Sequence, residues 1–140
     1  PDIVWQPSVT ADENGLDMLS GILICAADPA EAAARYERFT GRDFSAMGDG
    51  FRIDLDRGHI VISPPADCGK ILPGIEIPDL PFIGAVSIRS ADMEATRSFL
   101  AARGVPLLSD DGDRLTVSPN AGMGAAFVFH SDGREPFSTL

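Results

Sequence analysis

The chain has 140 residues and a mass of 14.8 kDa, a length that suits one domain with a sizeable hydrophobic core. Hydrophobic residues make up 44% and charged residues 23% of the chain, which excludes a wholly disordered protein and a coiled coil. The formal net charge is −10, and an acidic protein is repelled by nucleic-acid backbones and anionic membranes. The composition therefore predicts neither a nucleic acid nor a membrane as partner.

The cysteine and arginine content adds two expectations. Cys25 lies in an apolar run, which predicts an inert buried thiol, and Cys68 is expected to be exposed and without a partner. Lys70 is the only lysine among 11 basic residues, and this arginine bias with abundant alanine and glycine suggests a bacterial source of high GC content. We expect a cytoplasmic protein.

Residues 1–19 are polar and rich in turn residues, which predicts an extended N-terminal segment. The continuous apolar run at 21–26 has the length of a buried strand. A helix is predicted over 29–40, because Asp28 is a favourable N-cap residue and Gly41 is typical of a helix C-terminus. The chain therefore opens with a strand followed by a helix.

Period-two alternation then predicts a β-hairpin formed by 51–56 and 59–63, preceded by a short strand near 44–47. Five prolines between 64 and 81 disfavour regular structure over much of that span. We therefore interpret 64–81 as a linker.

The second half repeats this order at an offset of about 64 residues, with a strand at 83–90 and a helix at 92–103. Three further strands are predicted at 107–108, 114–118 and 125–129. The fold class is therefore α+β, with two paired βαβββ modules. The predicted divisions are an N-terminal segment (1–19), a first module (20–63), a Pro-rich linker (64–81), a second module (82–131) and a tail (132–140).

The repeated order resembles the vicinal oxygen chelate superfamily, which includes glyoxalase I, extradiol dioxygenases and bleomycin-resistance proteins. The first strand ends in Ala-Ala-Asp-Pro and its counterpart in Ser-Ala-Asp-Met, and the first helix ends in Tyr36-x-x-Phe39-x-Gly41. Residues 20–130 resemble the paired modules, and the whole chain resembles glyoxalase-like domains of bacteria. The resemblance implies a cup-shaped sheet with the helices outside and a site on its concave face.

Metal enzymes of that superfamily take ligands from the first and last strands of each module. Carried over, these positions correspond to Gly21 and Val61 in the first module, and to Ala85 and the region of Phe127 in the second. None of these side chains offers a donor atom to a divalent ion. We therefore expect no metal and no other cofactor.

If the apolar sides of the hairpins face the helices, the opposite parity faces the cup. Clustered arginines hold carboxylates and phosphates well, so an anionic small molecule is the expected ligand. The same residues also suit the solvated face of two hairpins, with arginines and aspartates paired to one another. The cup-facing residues are Arg52, Asp54, Asp56 and His59 in the first module, and Ser87, Arg89, Arg114, Thr116 and Ser118 in the second.

His59 stands beside Asp54 or Asp56 across the predicted hairpin turn, and a His–Asp pair can move a proton near neutral pH. An ordinary histidine at a strand end explains the same pattern. His130 ends the last strand and is expected to be exposed.

Three functions remain open from the sequence. The first is a glyoxalase-like domain without metal ligands that binds a small, anionic molecule in the cup. The second is a metal-independent lyase or isomerase that uses His59 with Asp54 or Asp56. The third is an interaction or dimerisation module of a longer protein, and a homodimer is compatible with the first two as well.

Overall fold

A computed structural model of the protein describes residues 13–138. Three helices and eight strands follow one another in the order expected for two βαβββ modules, with one additional helix between them. The elements are β1 (Leu16–Cys25), α1 (Pro29–Thr40), β2 (Phe44–Met47), β3 (Gly50–Asp54), β4 (His59–Ser63), α2 (Pro65–Ile71), β5 (Phe82–Ser90), α3 (Met93–Ala102), β6 (Leu107–Asp110), β7 (Arg114–Val117) and β8 (Ala126–His130). Within residues 13–138, no helix combines the length and apolar character needed to cross a bilayer.

All eight strands form one sheet in the order β2-β3-β4-β1-β5-β8-β7-β6. Each module pairs its first strand in parallel with its last, so that Gly21 lies opposite His59 and Ser87 lies opposite Val128. The two modules join where β1 runs antiparallel to β5. The α+β class and the two paired modules are confirmed.

Side-chain caps and a glycine set the bounds of the two long helices. Asp28 accepts a hydrogen bond from the Glu31 N–H at 3.0 Å, and Gly41 ends α1 with φ of 67°, a backbone conformation that glycine adopts without steric cost. Asp92 caps α3 in the same way, by accepting from the N–H groups of the first turn. Both predicted helices are present within one residue of the expected bounds.

The alternation of the strands separates two sheet faces. On one face, α1 and α3 cover two apolar clusters that contain Ile53 and Leu115, with Leu55 and Ile88 packed at their edges. The opposite, concave face carries Arg52, Arg89 and Arg114. The predicted parity of these strands is confirmed.

The segment predicted as a linker, 64–81, contains the helix α2. Pro64 precedes the helix and Pro65 opens it, a position where the missing N–H of proline costs no hydrogen bond. Prolines therefore mark where α2 begins and do not prevent it. The helix lies against the concave face, where Cys68 and Ile71 join the apolar side chains of the sheet.

The first strand also begins earlier than predicted. Strand β1 starts at Leu16, inside the segment 1–19 that was expected to be extended and separate, because Leu16 and Met18 pair with the far end of β5. The part of that prediction that concerns residues 1–12 lies outside the described residues.

A disulfide joins Cys25 of β1 to Cys68 of α2, and both residues are fully buried. The predicted free thiol at Cys25 and the predicted exposure of Cys68 are therefore wrong. The two residues are 43 positions apart in the chain, and the helix that carries Cys68 over β1 was not predicted. The disulfide fixes α2 to the concave face.

Candidate functional site

The concave face has an apolar half that is filled by the chain's own side chains. Phe137, from the chain end, is 1% exposed, and Leu72, just after α2, is also 1% exposed. The apolar half therefore resembles a protein core. Its buried members are Leu23, Cys25, Val61, Cys68, Ile71, Leu72, Ala85, Ala126, Val128 and Phe137.

Beside this core lies a polar half, in which an arginine and a histidine from two strands face one carboxylate. Arg52 of β3 donates from Nη1 to Oε2 of Glu135, and His59 of β4 places Nε2 at 3.4 Å from Oε1 of the same residue. The backbone N–H of Phe137 donates to Oε1 at 3.3 Å. Burial alone raises the pKa of Glu135, but His59 and Arg52 outweigh it and lower the pKa to about 2. The carboxylate is therefore ionised and held from two sides.

A second histidine is held by hydroxyl groups. His130 Nδ1 lies 2.9 Å from the carbonyl oxygen of Ser131, which only accepts, so Nδ1 carries the proton. The Ser20 hydroxyl then donates to Nε2 at 2.6 Å, and Ser87 lies 2.8 Å from Ser20. Burial and the nearby His59 lower the pKa of His130. The imidazole of His130 is therefore kept neutral.

We expect this neutral histidine to make stability depend on pH. The pKa of His130 in the folded chain lies below its ordinary value of 6.5, so its stabilising contribution is complete above that value and is lost as the pH falls from 6.5 through the lower pKa of the folded chain. Lowering the pH from about 7.5 to about 5.5 should therefore lower the urea midpoint of the wild type. The variant His130→Gln should lose part of this dependence, and an equal slope in both proteins would contradict the assignment.

Arg89 of β5 is engaged by carboxylates of its own chain. It donates to Asp17 from Nε at 3.0 Å and from Nη2 at 2.8 Å, and it also donates to Asp132 at 3.3 Å. The pKa of Asp17 is lowered by its hydrogen bond with Arg89. This bidentate geometry is the one that an arginine uses for a bound carboxylate.

Arg114 of β7 is only 3% exposed and holds the chain end through backbone carbonyls. Its Nη1 donates to the carbonyl oxygen of Ser138 at 3.0 Å and to that of Pro136 at 3.4 Å, and its Nε lies 3.4 Å from Asp111 Oδ2. Thr116, on the same strand, is buried on the same face. Arg114, which the sequence predicts to bind a ligand, therefore contacts the backbone carbonyls of Pro136 and Ser138.

The expected partner of His59 is replaced by another carboxylate. Asp54 lies opposite His59 in the strand register but is held by Arg52, and Asp56 pairs with Arg42 on the exposed turn. Within residues 13–138, Glu135 is the carboxylate at ion-pair distance from His59. The His–Asp pair expected from the sequence is therefore not formed.

The predicted exposure of His130 is also wrong, since this residue is 5% exposed. The His130 side chain is buried because its Nε2 is hydrogen-bonded to the hydroxyl of Ser20. Ser20 belongs to the other module and lies 110 positions earlier in the chain. Ser87 lies on the concave face as predicted and belongs to the same hydroxyl cluster.

The sequence did not predict that residues near the C-terminus contribute to the site. Glu135 and Phe137 lie in the predicted tail 132–140, whose nine residues show no periodic pattern and therefore give no sign of burial. An aromatic residue two positions after a carboxylate, in a mainly polar tail, was the one available signal.

The positions carried over for a metal do not suit one. A Cβ atom on Gly21 would come within 2.9 Å of His59 Nε2, Val61 and Ala85 belong to the apolar core, and Phe127 packs with the cluster under α3. None of the four side chains supplies nitrogen, oxygen or sulfur. In the part of the chain from 13 to 138, histidine, cysteine, aspartate and glutamate form no group of three with the geometry of a metal site.

No family model matches the sequence, and no curated protein matches it significantly. Several solved structures, in contrast, have a similar fold. The methylmalonyl-CoA epimerase of Mycobacterium tuberculosis superposes with a TM-score of 0.67 at 15% identity, over 92% of this chain and 97% of that one. A variant of the Streptomyces coelicolor methylmalonyl-CoA epimerase, solved with 2-nitronate-propionyl-CoA, has a TM-score of 0.62 at 15% identity, over 85% and 99%.

A hypothetical protein from Bacillus halodurans C-125 superposes with a TM-score of 0.58 at 13% identity, over 84% of this chain and 95% of that one. The chain has the vicinal oxygen chelate fold. At these identities the likeness concerns the fold alone.

Proposed function

We propose that this vicinal oxygen chelate domain binds a small carboxylate on the polar half of its concave face without the help of a metal ion. One observation carries the proposal: Arg52 and His59, from adjacent strands, converge on the single carboxylate of Glu135. Both donors belong to the sheet, whereas the carboxylate comes from the chain end. The two donors therefore belong to the sheet itself and do not depend on the presence of Glu135.

The strand register supports this reading. Arg52 lies opposite Val61, and His59 lies opposite Asp54 on the same pair of strands, so a short hairpin fixes the separation of the guanidinium and the imidazole. Side chains on paired strands are positioned more rigidly than side chains on loops. The arginine supplies a permanent charge and a directional donor, and the imidazole supplies a second donor.

The composition limits the strength of binding. The chain carries a formal net charge of −10, so an anion is repelled at long range and attracted only near the arginines. Added salt weakens both effects, since it screens the repulsion and the attraction alike. Affinity for a simple carboxylate should therefore be modest.

The proposal predicts saturable binding that depends on Arg52. Amide shifts in two-dimensional NMR, recorded while sodium acetate replaces sodium chloride at constant ionic strength, should move around Arg52 and His59 in the wild type. The variant Arg52→Gln should lose about 1.5–3 kcal/mol of binding free energy, the range measured for charge-assisted hydrogen bonds. Arg97→Gln is the matched control, because Arg97 of α3 pairs with Glu94 of the same helix and with Asp110 of β6, away from Arg52 and His59.

Acetate that produces no saturable shift in the wild type or in a Glu135→Gln variant would contradict the proposal. Equal binding by the Arg52→Gln and Arg97→Gln variants would contradict it too. Either result would favour an interaction module, which the filled apolar half of the concave face also suits.

A further inference from the structure

We propose that the chain end, residues 134–138, occupies the site as an internal substitute for the ligand, so that the ligand is a carboxylate joined by a short linker to an aromatic ring. This inference rests on the proposed function and adds to it the ligand class and a regulatory step. Residues 134–138 are called the tail segment below. In this account the ligand binds where the tail segment now lies and displaces it.

The polar side chain of the tail segment indicates the first part of the ligand, a carboxylate. The Glu135 carboxylate accepts from Arg52 and faces His59, and its pKa is lowered to about 2 by the excess of these attractions over burial. An ionised carboxylate is therefore the group that this half of the site stabilises. A phosphate would bring up to about two negative charges, whereas Arg52 supplies the one permanent positive charge of the pair.

The apolar side chain of the tail segment indicates the second part of the ligand, an aromatic ring. Phe137 is 1% exposed and packs with Leu23, Val61 and Val128 of the sheet. Its ring centroid lies 5.7 Å from that of His59, in an edge-on arrangement with an interplanar angle of 71°, which is favourable for aromatic pairs. The carboxylate and the ring thus meet at one imidazole, and a short linker spans the two positions.

The tail segment is held in a way that permits its release. In the described residues, its backbone N–H groups donate to no strand: Arg134 N–H donates to Ser131, and Phe137 N–H donates to the segment's own Glu135 side chain. The contacts with the sheet are side-chain contacts and the two carbonyls that accept from Arg114. Release therefore leaves every strand pairing of the sheet intact.

The fit of the tail segment is also incomplete. His59 is 7% exposed, yet its Nε2 makes no hydrogen bond within residues 13–138, because the 3.4 Å approach to Glu135 lacks hydrogen-bond geometry. A buried polar atom without a partner destabilises the folded chain. A free carboxylate, unlike one tied to a backbone, can move to satisfy both Arg52 and His59.

The experiment compares three probes by isothermal titration calorimetry: 3-phenylpropionate, propionate and 3-phenylpropan-1-ol. The first carries both groups, and each of the others carries one. We expect 3-phenylpropionate to bind at least about tenfold more tightly than either, since burial of the ring contributes that factor or more. Glu135→Gln should increase its affinity by about fivefold or more, because an internal competitor is weakened.

Two controls separate displacement from other effects. Glu94→Gln changes the net charge by the same amount on α3, where Glu94 pairs with Arg97, and should leave the affinity unchanged. Trypsin cleaves after arginine, and its specificity pocket does not bind a phenyl carboxylate, so 3-phenylpropionate should accelerate cleavage after Arg134, which pairs with Asp111 and Asp113 while the tail segment is in place. Mass spectrometry detects this cleavage as the loss of residues 135–140.

The outcomes distinguish the two proposals. Equal affinity for propionate and 3-phenylpropionate, both abolished by Arg52→Gln, would overturn the inference and leave the proposed function standing. Binding of 3-phenylpropionate without faster cleavage after Arg134 would likewise overturn the displacement. If no probe binds to the wild type or to Glu135→Gln, both proposals fail. The probe comparison and the cleavage assay use the wild type, so they decide the matter even if a variant does not fold.

Discussion

Replacing Phe137 with alanine should lower the free energy of unfolding by about 3–5 kcal/mol, the range for truncation of a buried phenylalanine. Phe137 is 1% exposed and belongs to the apolar core of the concave face. Truncation of the ring is expected to leave a cavity among the other members of that core, which include Leu72. Urea unfolding of the two proteins measures the difference.

Phe39→Ala provides the matched control. Phe39 is 84% exposed on α1, and truncation of an exposed side chain usually changes stability by no more than about 0.5 kcal/mol. A loss below about 1 kcal/mol for Phe137→Ala would show that the ring is not buried in solution. In that event, the chain end would have no role as an internal occupant.

Loss of the Cys25–Cys68 disulfide should lower the free energy of unfolding by about 4 kcal/mol, as chain entropy predicts for a loop of this length. The two cysteines are 43 positions apart and fully buried. In addition, the bond fixes α2 over the apolar half of the concave face. Urea unfolding of the wild type, with and without a reductant, measures the effect.

The double variant Cys25→Ala, Cys68→Ala is the control for the reductant. It should be less stable than the oxidised wild type and should not respond to the reductant. A wild type that is insensitive to reductant, with two free thiols by alkylation and mass spectrometry, would contradict the disulfide. The same alkylation on protein taken directly from cells tests the cytoplasmic expectation, because disulfides persist mainly in oxidising compartments.

Local sequence signals were sufficient for most of the fold. Capping residues such as Asp28 and Asp92, and period-two alternation around Ile53, are encoded within a few neighbouring positions, and the structure confirms the elements that they predict. The five prolines at 64–81 do not predict α2, because proline disfavours a helix interior, whereas Pro65 stands in the first turn, where a helix tolerates it.

The candidate site was less accessible to sequence reasoning, because its contacts are long-range. Parity placed Arg52 and His59 on the same face, but the carboxylate that they share lies 83 positions from Arg52. Likewise, Ser20 and His130 are 110 positions apart. Such contacts follow from the topology of the whole sheet, and no local pattern records them.

A crystal structure of the Glu135→Gln variant grown with 3-phenylpropionate would show whether the ligand replaces the tail segment. We expect the ligand's carboxylate between Arg52 and His59, its ring among Leu23, Val61 and Val128, and the tail segment displaced from the concave face. A tail segment that keeps the position it has in the wild type, with Phe137 still buried and the ligand elsewhere or absent, would contradict the claim.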